Sequence, residues 1–144
     1  MQWWDSSALL SLVLVEERSA RVEAVLAADD EPAVWWGTKV EATSGICRAQ
    51  RTGAAVRAPA GPDPHADLDR LLSSALTIPP SEEVRVAACG LLRVRELRAA
   101  DALQLAAALV WVEYRPDGAG FVCLDHRLRE AAALEGFRVL PEQE

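Results

Sequence analysis

Two short apolar runs in this chain, Gln2-Trp3-Trp4 and Phe121-Val122-Cys123-Leu124, each end in an aspartate, Asp5 and Asp125, and each gives way at once to a helical pattern. Runs this short suit buried strands better than helices. An acid at the point where a strand becomes a helix suggests the carboxyl edge of a parallel sheet, where open α/β folds place their sites.

The rest of the chain agrees with that architecture. Gln2–Asp5 reads as a first strand, followed by a helix from Ser6 or Ser7 through Leu14 and a second helix opened by Ser19. Asp29-Asp30-Glu31-Pro32 is a turn before a strand at Ala33-Val34-Trp35-Trp36. Gly37 and Thr38 lead into a third helix carrying Val40, Ile46 and Cys47, which Gly53 can stop. Ala58 to Pro64 holds three prolines and one glycine and reads as a loop. Ala66 to Leu76 is amphipathic and leads to a short Leu76-Thr77-Ile78 segment, and Pro79-Pro80-Ser81-Glu82 starts another helix. Ala99 to Val112 is apolar apart from Asp101 and Gln104, so that helix is buried on most of its circumference. A turn at Pro116-Asp117-Gly118, a strand at Gly120–Leu124, a helix at His126–Leu134 and a strand at Phe137–Leu140 complete the order. Strands alternating with helices predict an α/β fold, a mainly parallel sheet covered on both faces. The length of 144 residues predicts a single domain.

Four carboxylates fall at helix starts: Asp5, Glu41, Asp101 and Asp125. Each has a local explanation. Asp5 and Asp125 can be N-caps, and Thr38-Lys39-Val40-Glu41 matches a capping box in which Glu41 bonds back to the Thr38 backbone. Asp101 resists best, because an unpaired charge in so apolar a helix costs several kcal/mol; the helix dipole or Arg98 are its candidate partners. One cation site accounts for all four together. Like charges about 4 Å apart repel by about 4 kcal/mol at an effective dielectric near 20, so such a cluster needs a cation or raised pKa values. Oxygen-only ligands point to Mg2+ or Mn2+.

The net charge of −7, from 22 acidic against 15 basic residues, excludes nucleic-acid binding by bulk electrostatics and leaves only a local basic patch. Lys39 is the one lysine, and the other basic residues are arginines suited to forked contacts with phosphate. Arg48 and Arg51 on the third helix, and Arg93, Arg95 and Arg98 before Asp101, are the nearest in sequence to the acids. Cys47, Cys89 and Cys123 show no paired spacing and read as buried free thiols in a reducing compartment. His126 reads as a solvated helix-start residue, and the five tryptophans as core packing. Without a leader or an apolar run long enough to span a bilayer, the expectation is a soluble cytoplasmic protein without membrane contact.

Four strings carry a resemblance: Asp5-Ser6-Ser7-Ala8-Leu9; Val40-Glu41 with Arg48 and Gly53; Ala99-Ala100-Asp101-Ala102-Leu103-Gln104; and Leu124-Asp125-His126-Arg127-Leu128 leading to Gly136–Leu140. In order and spacing, over almost the whole chain, they resemble the PIN domain family, and within it the VapC-type ribonuclease toxins of bacterial toxin–antitoxin pairs. The resemblance implies a three-layer α/β/α sandwich and Mg2+- or Mn2+-dependent cleavage of RNA by an activated water, leaving 5′-phosphate and 3′-hydroxyl ends. Asp5, Glu41, Asp101 and Asp125 would hold the metal, Ser6 would support them, and Arg48 and Arg98 would contact substrate. An antitoxin partner and a homodimer are expected on the same ground. Two positions depart from the family: Cys123 stands where Thr or Ser is frequent, and Gln104 where His is frequent.

Two other functions compete. A phosphoacceptor receiver domain also gathers aspartates around Mg2+ at strand ends, but needs a late catalytic lysine that this chain lacks. The alternative that stays open is a non-catalytic PIN-like protein-binding module whose acids are helix caps.

Overall fold

The computed structural model describes residues 1–15, 19–53 and 63–142. Twelve elements are described: β1 (Trp3–Trp4), α1 (Ser6–Val13), α2 (Ser19–Ala27), β2 (Ala33–Trp35), α3 (Thr38–Thr52), α4 (Pro64–Ser73), β3 (Leu76–Ile78), α5 (Glu82–Val94), α6 (Ala99–Trp111), β4 (Gly120–Val122), α7 (His126–Glu135) and β5 (Arg138–Leu140). The strands form one sheet of order β3-β2-β1-β4-β5, every pair parallel. The chain winds from β1 out to β3, then returns to the other side of β1 with β4 and β5. The direction of winding reverses between β1 and β4, which is the topological switch point of the sheet.

Period-two alternation along the strands divides the core in two. Trp3, Ala33, Trp35, Phe121 and Cys123 face one way and pack under α5, α6 and α7, against Val84, Leu91, Leu105, Leu109 and Leu128. Trp4, Val34 and Val122 face the other way, against Ala8, Leu9 and Val13 of α1, Val22 of α2, Ala42 and Ile46 of α3 and Leu68 of α4. The result is the expected three-layer α/β/α sandwich. Trp3 and Trp4, both fully buried on opposite faces of a two-residue strand, anchor the two layers. Burying about 150–250 Å² apiece is worth at most about 4–6 kcal/mol each. Asp29 fixes the start of that strand, accepting from the Gln2 amide at 3.0 Å and the Trp4 indole N–H at 2.8 Å.

Helix boundaries follow their caps. Asp5, Asp63, Ser81 and Asp125 each accept a backbone N–H of the first turn. Gly53 and Gly136 end α3 and α7 at φ 73° and 105°, a conformation costly to residues with a Cβ. Pro64 opens α4; the remainder of the loop expected at Ala58–Pro64, residues 58–62, falls outside the described residues apart from Asp63.

Three expectations are corrected. The second strand stops at Trp35 because the chain turns at Trp36-Gly37, leaving the Trp36 ring past the sheet and 58 % exposed. Of the three free thiols only Cys123 is buried; Cys89 lies on the outer face of α5 and Cys47 is half-buried. The first and fourth strands are shorter than their apolar runs, ending at Trp4 and Val122, so that Asp5 and Asp125 stand just beyond them. No described helix is long and apolar enough to cross a membrane.

Candidate metal centre at the switch point of the sheet

Asp5 follows β1 and Asp125 follows β4, so the two sit at the carboxyl ends of the strands on either side of the switch point. The strands are tied there by the Asp5 amide, which donates to the Val122 carbonyl at 3.0 Å. Glu41 arrives from the first turn of α3, after β2, and Asp101 from the first turn of α6. Their charges reach one another. Glu41 is pushed up to about 7, first by burial, then by the charge of Asp5, with a smaller contribution from Asp101. Asp101 is raised by burial and then by the charges of Asp125 and Asp5, against the opposing pull of Arg98. Glu41 thus feels the charges of Asp5 and Asp101, and Asp101 those of Asp125 and Asp5.

Asp5 and Asp125 are each held chiefly through one oxygen. The Asp5 Oδ2 atom accepts from the Ser7 amide at 3.0 Å, from the Ser7 hydroxyl, and from the Cys123 thiol at 3.4 Å, and the Ser6 backbone also acts on the carboxylate. Burial raises the Asp5 carboxyl, and these donors partly offset the rise. Asp125 Oδ1 accepts the Leu128 amide at 2.9 Å. Glu41 is gripped at both ends, Oε2 by the Ser6 hydroxyl at 3.2 Å and Oε1 by Gln104 Nε2 at 3.4 Å. Ser6 thus bonds one of the four predicted acids.

Glu41 overturns its own capping box. The N-cap of α3 is Gly37, with no side-chain bond to the helix start, and the Glu41 carboxylate turns toward α1 and α6 instead. What lets it reach Ser6 is the close crossing of α1 and α3: one turn on from each, Leu10 covers Gly45, where a Cβ would stand 2.5 Å from Leu10 Cδ1. The other capping readings are observed. Asp5 and Asp125 are N-caps, and Asp101 is stabilised by the Arg98 backbone as well as its charge. Glu41, rather than Asp101, is the acid that helix-start bonding leaves unexplained.

Ser7, Thr38 and Gln104 complete the site, where the sequence suggests for them only a helix start, the N-cap of a capping box and a departure from the family's frequent His. Gln104 is fully buried and donates to Thr38 Oγ1 at 2.8 Å as well as to Glu41, while its Oε1 has no hydrogen-bond partner. Cys123 sits against Asp5, and burial followed by the Asp5 charge keeps its thiol protonated. An acid with Ser two residues on, at a helix start, was the one local signal for Ser7.

The arginines divide. Arg98 is the N-cap residue of α6 and acts on Asp101. Arg48 is exposed on α3 two turns from Glu41, about 10 Å along the axis, with Arg51 further on. Arg95 is withdrawn by Glu135, to which it donates twice, at 3.0 and 2.9 Å. His126 is exposed and paired with Glu130 at 3.1 Å, as expected of a surface residue.

Among the described residues no three His, Cys, Asp or Glu side chains already stand tightly enough to enclose a metal ion. The donor set nevertheless fits a hard divalent cation. It is all oxygen, and burial together with the neighbouring negative charges raises Glu41 and Asp101, a cost that a cation would relieve. Asp5 is buried, Glu41 and Asp101 are partly exposed and Asp125 is exposed. A cavity of about 450 Å³ elsewhere, lined by Leu12, Leu26, Pro32, Asp67 and Leu71 among others, contains none of them.

No family model and no curated protein matches this sequence. Among solved structures, a toxin–antitoxin complex from Klebsiella pneumoniae is similar in fold, with a TM-score of 0.60 and 17 % identity, over 87 % of this chain and 87 % of that chain. At that identity the likeness establishes the fold alone.

Proposed function

We propose that this chain is a Mg2+- or Mn2+-dependent endoribonuclease, the toxin of a type II toxin–antitoxin pair, and a PIN-domain protein of the VapC type. The observation that carries the reading is the electrostatic cluster of Asp5, Glu41, Asp101 and Asp125 at the switch point of a parallel sheet. Likeness in fold to a toxin–antitoxin complex supports the toxin role and an antitoxin partner.

In this reading the four acids hold the cation. When bound, Mg2+ or Mn2+ lowers the pKa of a water molecule and offsets the charge that develops on the phosphate oxygens. The protein's part is positioning. Ser6 and Gln104 fix the Glu41 carboxylate, the Asp125 cap fixes Asp125, and Arg98 offers a guanidinium beside Asp101 to the substrate phosphate.

The alternative, a non-catalytic module whose acids are helix caps, draws support from the caps at Asp5 and Asp125. It offers no account of Glu41, which caps nothing and is held at both oxygens. Incubating the purified chain with RNA in EDTA, Mg2+ or Mn2+ separates the two. Cleavage is expected only with the cation, and is expected to vanish in Asp5→Asn and Asp101→Asn proteins that remain folded. A folded protein whose stability ignores both metals and which cleaves no RNA would favour the binding module.

A further inference from the structure

Ser7 occupies a position that the four-acid pattern does not account for. Its hydroxyl donates to Asp5 Oδ2 and at the same time accepts the Leu124 amide at 2.9 Å, across the switch point from β1 to the end of β4. Its backbone amide donates to the same Oδ2 at 3.0 Å. Cys123, 3.7 Å from that hydroxyl, offers Asp5 only a long thiol contact of 3.4 Å. The weak donor at 123 and the strong one at 7 converge on one oxygen, in a carboxylate that is 3 % exposed.

We propose that Ser7 is the positioning residue of the site: it fixes the orientation of the Asp5 carboxylate toward the cation, and it locks the two strand ends that carry Asp5 and Asp125 into one unit. The proposal rests on the metal-dependent reading above. With three donors converging on one oxygen, tilting the carboxylate out of its plane would weaken the Ser7 and Cys123 bonds together, so the plane of the group is held. The bridge to Leu124 carries the same constraint to the end of β4, one residue before Asp125, whose side chain caps α7 at the Leu128 amide. Outer hydrogen bonds of this kind orient a ligand, and their loss typically weakens metal affinity by 10–100-fold.

The test uses Mn2+ alone, without RNA. Mn2+ binding to the full chain is followed by electron paramagnetic resonance at neutral pH, alongside urea unfolding in EDTA. Ser7→Ala is expected to weaken Mn2+ binding by about 10-fold while the protein stays folded, and Ser7→Thr, which keeps the hydroxyl, is expected to restore it. Equal Mn2+ affinity in wild type and Ser7→Ala would overturn the role of Ser7 and leave the metal site standing. Loss of affinity in Ser7→Thr as severe as in Ser7→Ala would overturn it too, because a hydroxyl would then not be what matters. No Mn2+ binding by the wild type would overturn the metal-dependent reading itself.

Discussion

Gln104 reaches from α6 across to α3 and donates to the carboxylate of Glu41 at 3.4 Å, holding Thr38 at 2.8 Å with the same nitrogen. Because a carboxylate only accepts, this contact fixes which end of the amide faces α3. Replacing Gln104 with Leu keeps the volume but strands the Thr38 hydroxyl and one Glu41 oxygen. The expected cost is about 1–3 kcal/mol, the penalty for leaving a buried polar group without its partner, read as a lower urea midpoint with an unchanged slope. A neutral effect would mean that the amide carries no net stabilisation, consistent with its unpaired Oε1.

The shift at Glu41 fixes the sign of a pH dependence. Its carboxyl rises from 4.5 to about 7 on folding, so between those values the native state binds more protons than the unfolded chain. Stability therefore falls as pH rises from about 4.5 through 7, and the raised Asp5 and Asp101 act in the same direction from their own lower starting points. In EDTA the melting temperature should decline over that window, and Mn2+ should recover it most at the alkaline end, where Glu41 is ionised. Glu41→Gln should flatten the decline. A melting temperature that rises between pH 5 and 7 in EDTA would show that other groups dominate.

The fold was largely legible because its signals are local. Apolar runs of three to five residues, Ser or Asp at helix starts and Gly at helix ends placed every described element to within a few residues. The contacts that make the site were not. Period and capping rules act over four residues, so Thr38 and Glu41 looked like a closed pair, whereas Glu41 is bound by Ser6 and Gln104, 35 and 63 positions away in sequence. The same limit applies to Arg95, near Asp101 in sequence yet committed to Glu135 on α7. Trp36 was misread because alternation cannot reveal where a sheet ends.

The arginines give a prediction that distinguishes proximity in sequence from availability. Arg98 acts on Asp101 at the site edge, while Arg95 is already neutralised by Glu135. Binding of a short RNA in EDTA should be modest at a net charge of −7 and should weaken with salt. Arg98→Ala should lower the affinity and reduce the salt slope by about one phosphate contact, and Arg95→Ala should leave both unchanged. Equal losses in the two variants would place the RNA along α5 instead of over the acids.

Arg129 supplies the clearest stability prediction away from the acids. Its guanidinium is largely buried beneath the carboxyl ends of β4 and β5 and donates to the carbonyls of Cys123 at 2.6 Å, Leu140 at 3.1 Å and Pro141 at 2.8 Å. These oxygens lie where the parallel ladder runs out, so Arg129 continues the sheet by side chain after the backbone amides are used up. The Cys123 amide already donates to Leu140 O at 3.0 Å, leaving that carbonyl shared. Arg129→Met retains most of the stem but orphans acceptors at the base of the Cys123-Leu124-Asp125 segment. The expected loss is about 2–4 kcal/mol, since bonds from a charged donor contribute about 1.5–3 kcal/mol each and are not additive. Because the same segment carries the Ser7 bridge and the Asp125 cap, Arg129→Met should also weaken Mn2+ binding, whereas Arg138→Met, exposed on β5, should change neither. A fully stable Arg129→Met protein with weakened Mn2+ binding would assign Arg129 to the site rather than to the sheet.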